Sequence, residues 1–128
     1  MLTDDFTAYA AKVNISLKEP VSADSIQRKL TTFLSLIASE CSDNGAYLIG
    51  HIKCVVESEK GFYASSITAP TDTPSVRGEM GDGSESLEVI INVLLYGLDK
   101  LTVKQITKAA VPVSLSFVDA EIKIWDLE

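Results

Sequence analysis

Histidine occurs once and cysteine twice in the 128 residues of this chain. Cys41 and Cys54 form no Cys-x-x-Cys pair and belong to no larger set of ligands, which excludes a zinc framework and a disulfide scaffold. Two buried, reduced thiols are expected instead. Basic residues are also scarce, with 11 Lys and Arg against 18 Asp and Glu, a net charge of −7. Nucleic-acid affinity comes largely from counterions released by Lys and Arg, and acidic surfaces repel anionic lipid, so no nucleic-acid or membrane partner is expected. No apolar run reaches the roughly 20 residues of a membrane helix. The opening residues, Met1-Leu2-Thr3-Asp4-Asp5-Phe6, carry no basic segment of secretory type. A cytoplasmic protein is the expectation.

What is present suits one globular domain over residues 1–128. A hydrophobic fraction of 46% with 23% charged residues is near the globular average, and a chain of this length can bury a full core. Leu2, Phe6, Tyr9, Ala10 and Val13 recur at helical spacing, which predicts an N-terminal amphipathic helix with Thr3 as its cap and Asp4 and Asp5 at its positive end. Residues 13–17 either extend that helix or form a brief strand before Pro20 interrupts regular structure. Ile26, Leu30, Phe33, Leu34, Ile37 and Cys41 share one helical face, predicting a helix from about Ser22, its cap, to Ser42, stopped at Asn44-Gly45.

From Ala46 the period changes to two. Leu48, Gly50, Ile52, Cys54 and Val56 then share one strand face, with Tyr47, Ile49, His51, Lys53, Val55 and Glu57 on the other. The turn Ser58-Glu59-Lys60-Gly61 leads into a return strand, Phe62 to Thr68. Residues 69–86 are rich in Gly and Pro and are expected to be a long functional or mobile loop, in which Ser75-Val76-Arg77 pairs briefly with a neighbour. Leu87 to Tyr96 is apolar on both faces after Glu88, the pattern of a central strand covered on both sides. Thr102-Val103-Lys104-Gln105 has the form of a capping box opening a short helix that Pro112 stops near Val111. Residues 113–118 fit two patterns: Val103, Ile106, Ala110, Val113 and Phe117 keep a helical spacing that Pro112 opposes, while Val113, Leu115 and Phe117 alternate, so a strand is read from about Val113, with a phase slip at Asp119-Ala120, through Ile122 and Ile124 to Trp125. The pattern is α+β, two layers, with helices on one face of a mainly antiparallel sheet in the order α-α-β-β-β-α-β.

Chemistry-bearing motifs are few. On the proposed strand His51 and Cys54 point to opposite faces, a poor geometry for shared ligation or a nucleophile and base pair. Gly78-Glu79-Met80-Gly81-Asp82-Gly83 lacks a phosphate-loop lysine, and its acids would repel a phosphate. Asp72, Glu79, Asp82, Glu85 and Glu88 match no calcium loop and are expected as solvated acids. Lys100, Lys104 and Lys108 form a ridge expected to face solvent. Arg77 is the one basic side chain in the acidic stretch and the best candidate to contact an anion or to form an ion pair, of which the structural ion pair is the favoured reading. Asn92 is the one polar side chain in the central strand and, if buried, needs amide partners there.

No metal, no cofactor and no catalytic set is therefore expected. The chain reads as a non-catalytic binding or interaction module acting as a homodimer, with Trp125 and Leu127 crossing the interface. The alternative is a small-molecule-binding protein or enzyme with a pocket near His51, Lys53, Arg77 and Asn92. A dimer is expected because both faces of the central strand need cover, and the short N-terminal helix is too small for one of them.

Overall fold

The computed structural model describes residues 5–127; Leu2 and the proposed cap Thr3 lie outside them. Along the chain run β1 (Phe6–Val21), α1 (Ala23–Asp43), β2 (Leu48–Ser58), β3 (Gly61–Ile67), β4 (Ser75–Arg77), β5 (Ser84–Tyr96), α2 (Lys100–Ser114) and β6 (Glu121–Asp126). The strands form a six-stranded sheet in the order β4-β3-β2-β5-β1-β6, each neighbouring pair antiparallel. The α+β class holds. The expected element order does not, because the chain opens with a strand where a helix was predicted.

The reason lies in small side chains. Thr7, Tyr9, Ala11, Val13 and Ile15 alternate inward along β1 and are all buried. Thr7 and Ala11 blunt that alternation in the sequence, while Phe6, Tyr9, Ala10 and Val13 fall by chance at helical spacing. Residues 13–17 belong to the same strand, which continues past Pro20 through an irregular register between Ser16 and Val21. That irregularity lies beyond the last β6 partner of β1, Ser16, so the missing proline N–H interrupts no ladder there.

Helix α1 forms where the periodicity places it. The Ser22 hydroxyl accepts from the Ser25 N–H at 3.2 Å, and the whole apolar stripe from Ile26 to Cys41 is buried. Gly45, at φ 118°, supplies the left-handed exit that a side chain would resist. The helix packs on β2 and β3, α2 packs on β1, and the two helices touch. Both therefore lie on one face of the sheet, over Val13, Ile15, Ile52, Val56, Val89, Ile91, Val93 and Leu95. Among the described residues no helix is long and apolar enough to cross a membrane.

Three further boundaries differ from expectation. In β2 the pairing with β5 shifts between Ile49 and His51, so Gly50 is an extra residue and the phase inverts before it. Ile49 joins the buried face and Leu48 turns outward, the reverse of the simple alternation. Helix α2 begins earlier than Thr102, because Asp99 is the cap and its carboxylate accepts from the Thr102 N–H at 2.7 Å. The helix also runs through the exposed Pro112 to Ser114. Proline near a helix end removes only the bond to the residue four earlier, and the Leu115 N–H still reaches the Val111 carbonyl at 2.8 Å. The strand expected from Val113 starts at Glu121, after a turn in which Asp119 adopts φ 55°.

The segment 69–86 is more structured than a plain loop. Ser75–Arg77 does pair with β3, as strand β4. Beyond it the Phe62 N–H donates to the Glu79 carbonyl and the Gly81 N–H to the Lys60 carbonyl, both at 2.9 Å, with Met80 buried between. That stitching needs Gly61, since a Cβ there would sit 2.2 Å from the Glu79 carbonyl oxygen. Strand β5 then starts at Ser84, ahead of the expected Leu87.

Candidate functional site

With both helices on one side, the other face of the sheet carries no helix among the described residues. The central strand is thus covered on one face only, which corrects the expectation of two. On β5 the residues Leu87, Val89, Ile91, Val93 and Leu95 are buried, whereas Glu88, Ile90, Leu94 and Tyr96 are partly exposed and Asn92 is exposed. Asn92 therefore needs no core partner, and its expected buried amide role is withdrawn.

Register places the open-face residues in bands. At one end Phe6 and Leu48 flank Tyr96 on the two neighbouring strands, and Ala8 and His51 flank Leu94. The Phe6 and Tyr96 rings are 5.4 Å apart, centroid to centroid. Across the middle, Trp125 on β6 pairs with Lys12, and the Leu127 N–H donates to the Ala10 carbonyl. Leu127 lines a depression with Ala8, Ala10, Asn92 and Leu94. Phe6, Leu48, Trp125 and Leu127 remain 43%, 47%, 44% and 48% exposed, so this band is apolar and half-wet. The two residues expected at an interface both belong to it.

The four candidate ligand residues also share this face. Lys53 lies directly opposite Asn92, His51 is two residues before Lys53 on β2, and Arg77 stands on the edge strand β4. Lys53 and Arg77 line one depression of about 210 Å³ with Val55, Ala64, Ser66 and Ser75. Burial, followed by the charge of Lys53, lowers the His51 pKa below its ordinary value. Cys54 faces the helices, away from His51, and burial holds its thiol protonated. Burial, helped by the Glu40 charge, pushes the Cys41 thiol up to about 11. Both cysteines are free and buried.

The acids expected to be solvated are dispersed. Asp82 accepts from the Ala23 N–H at 2.8 Å at the start of α1, and Glu88 pairs with Lys12 at 2.8 Å. Among the described residues no cluster of three or more His, Cys, Asp or Glu is placed to hold a metal. Nor is the lysine ridge of α2 merely solvated. Lys104 reaches Asp126 at 2.6 Å and Lys108 at 3.8 Å, so the ridge grips the last strand. Asp126 also accepts from the Tyr9 hydroxyl at 2.7 Å. The Lys104 and Tyr9 hydrogen bonds hold its carboxyl below the usual range, while burial and Asp126 push the Tyr9 hydroxyl well above its own.

No family model and no curated protein matches this chain. Among solved structures, it is similar to a Zn(II)-bound YjiA GTPase from E. coli, at 13% identity and a TM-score of 0.44 over 83% of this chain and 30% of that one. A Zn(II)-bound triple mutant of YjiA GTPase gives 15% identity and a TM-score of 0.45 over 86% and 30%. This chain spans under a third of the length of those proteins.

Sequence reasoning missed Phe6, Ala8 and Ala10 as members of the open face because β1 was read as a helix. The one signal in the sequence is a weak alternation from Thr7 to Ile15, carried by Tyr9, Val13 and Ile15 and blunted at Thr7 and Ala11.

Proposed function

We propose that this chain is a small, non-catalytic binding and interaction module that works in the cytoplasm as a homodimer paired through its open sheet face. The observation that supports this reading is the band of Phe6, Leu48, Leu94, Tyr96, Trp125 and Leu127 on a face with no helix above it. Removing apolar surface from water is worth about 25 cal/mol per Å². A sheet face of this width offers an area on the order of 800 Å², what each partner contributes to a standard interface. A second copy brings an identical apolar band, and isologous pairing is the commonest oligomer. The strand at the N-terminus adds to the case, because it removes the one helix that was expected to cover this side. A non-catalytic role is supported by the opposed directions of His51 and Cys54, which leave the lone imidazole no thiol to activate.

Sedimentation equilibrium at tens of micromolar tests the proposal. The expected result is a species of twice the 13.8 kDa chain mass, converted to monomer by Leu48→Lys or Trp125→Lys with an unchanged circular dichroism spectrum. A monomeric wild-type chain overturns it. The alternative, a small-molecule-binding protein with a pocket near His51, Lys53 and Arg77, draws on a separate observation, the two cations that share a depression at the β4 end.

A further inference from the structure

At that end of the open face the local charge runs against the whole. The chain carries 18 acidic and 11 basic side chains, yet no acid lines the depression shared by Lys53 and Arg77. Neither cation makes a hydrogen bond or an ion pair with another described residue, although Lys12, Arg28, Lys104 and Lys108 each do. Two cations thus line one hollow with no counter-charge beside them, and a bound anion would supply it. Between them, across β3 and β4, the Ser66 and Ser75 hydroxyls face each other at 3.0 Å. Val55 and Ala64 form an apolar floor.

We propose that this hollow is a phosphate-binding site, taking a phosphoryl group between Lys53 and Arg77 with the Ser66 hydroxyl as a further donor, the Ser75 hydroxyl being engaged on the Ser66 carbonyl. The donor set decides the class. A carboxylate is satisfied by one planar guanidinium, whereas a tetrahedral oxyanion presents acceptors in several directions and uses a point-charge ammonium, a guanidinium fork and a hydroxyl together. Size points the same way. At about 210 Å³ the hollow is smaller than the roughly 300–1,000 Å³ of pockets that enclose whole organic ligands, so the phosphoryl group is what sits inside and any organic remainder projects past the three-residue edge strand. The hollow lies on the same open face as the apolar band but shares no lining residue with it, so its test is run on the monomeric Leu48→Lys variant as well as on the wild-type chain.

Inorganic phosphate titrated into ¹⁵N-labelled protein at constant ionic strength tests the proposal, with sodium chloride as the matched control. Expected are saturable amide shifts confined to Lys53, Ser66, Ser75, Arg77 and their neighbours, with a dissociation constant on the order of 1 mM or below. Arg77→Gln and Lys53→Gln should each weaken binding about tenfold, a loss of about 1.4 kcal/mol, while Lys123→Gln, on the far strand β6, should leave it unchanged. A parallel titration with glycerol phosphate separates the sources, tighter binding marking a phosphomonoester as the ligand and equal binding marking the free anion. Shifts that do not saturate, shifts that chloride reproduces, or undiminished binding by Arg77→Gln would overturn the site.

Discussion

The two faces of the sheet are built from the same strands in the same register, yet one is a core and the other a surface. On β5 from Leu87 onward the inward residues are all aliphatic and buried, and the outward ones run through glutamate, isoleucine, asparagine, leucine and tyrosine. On β2 the inward Ile52, Cys54 and Val56 oppose the outward His51, Lys53 and Val55. The inward set has no choice of chemistry, since each side chain must fill space beneath α1 and α2. The outward set is mixed because, among the described residues, no helix packs on it. Apolar content that folding does not require is what draws attention to that face.

The sharpest way to break this contrast is a pair of neighbouring truncations. Ile91→Ala, at a fully buried position, is expected to cost about 2–5 kcal/mol in urea unfolding, through lost transfer energy and the cavity left behind. Ile90→Ala, one residue away on the open face, should cost under about 1 kcal/mol when measured in a monomeric Leu48→Lys background. Equal losses at the two positions would mean that the open face is packed within a single chain.

A second measurement sharpens the contrast at the margin of the covered face, where Asp126 ties β6 to Tyr9 and to α2. Its folded-state pKa is depressed, so its stabilisation is present above the ordinary aspartate value of about 3.9 and is lost as pH falls through the lower folded value. Tyr9 is shifted upward, so its contribution is present below about 10 and is lost as pH rises beyond that. Asp126→Asn should lower the unfolding midpoint at neutral pH and flatten the acid limb of its pH dependence. The alkaline limb should shrink but persist, because burial is the larger cause of the Tyr9 shift. An unchanged acid limb would show that Asp126 does not hold the strand.

The smallest effect expected is on the open face itself. Glu57 and Glu88 are direct cross-strand partners, and only Glu88 has a lysine beside it. Like charges so placed repel, so Glu57→Gln should raise stability by roughly 0.2–1 kcal/mol, less at high salt. A loss of stability instead would assign the Glu57 carboxylate a partner of its own.

Local signals were readable where one effect dominated. The stripe of α1, its Ser22 cap and its glycine exit acted together, and the hairpin of β2 and β3 followed from an alternation ended by a turn. The segment β4 was legible even inside a glycine-rich stretch, because Ser75-Val76-Arg77 is its most strand-like part. Where two effects competed, the reading failed. Small inward residues hid β1, the Gly50 bulge inverted one turn of the alternation, and Asp99 out-competed Thr102 as a cap. The site was legible in part. Alternation alone places His51 and Lys53 on one side, but that Arg77 joins them two strands away depends on pairings between distant segments, as does the gathering of Phe6, Leu48 and Tyr96.

The shortness of β4 has a consequence for how copies of the chain can accumulate. An edge strand exposes unpaired backbone groups that invite another strand, and such additions continue without limit because each new strand creates a new edge. Here the outer rim at β4 is three residues long, and beside it the Gly61 end of β3 is already occupied by the backbone around Met80. Growth past this edge is thereby starved of a template, whereas the opposite edge, β6, is six residues long. A face, by contrast, is used up once a matching face meets it. The association proposed above, through the open face, would close at two copies, a geometry different from the one that builds filaments.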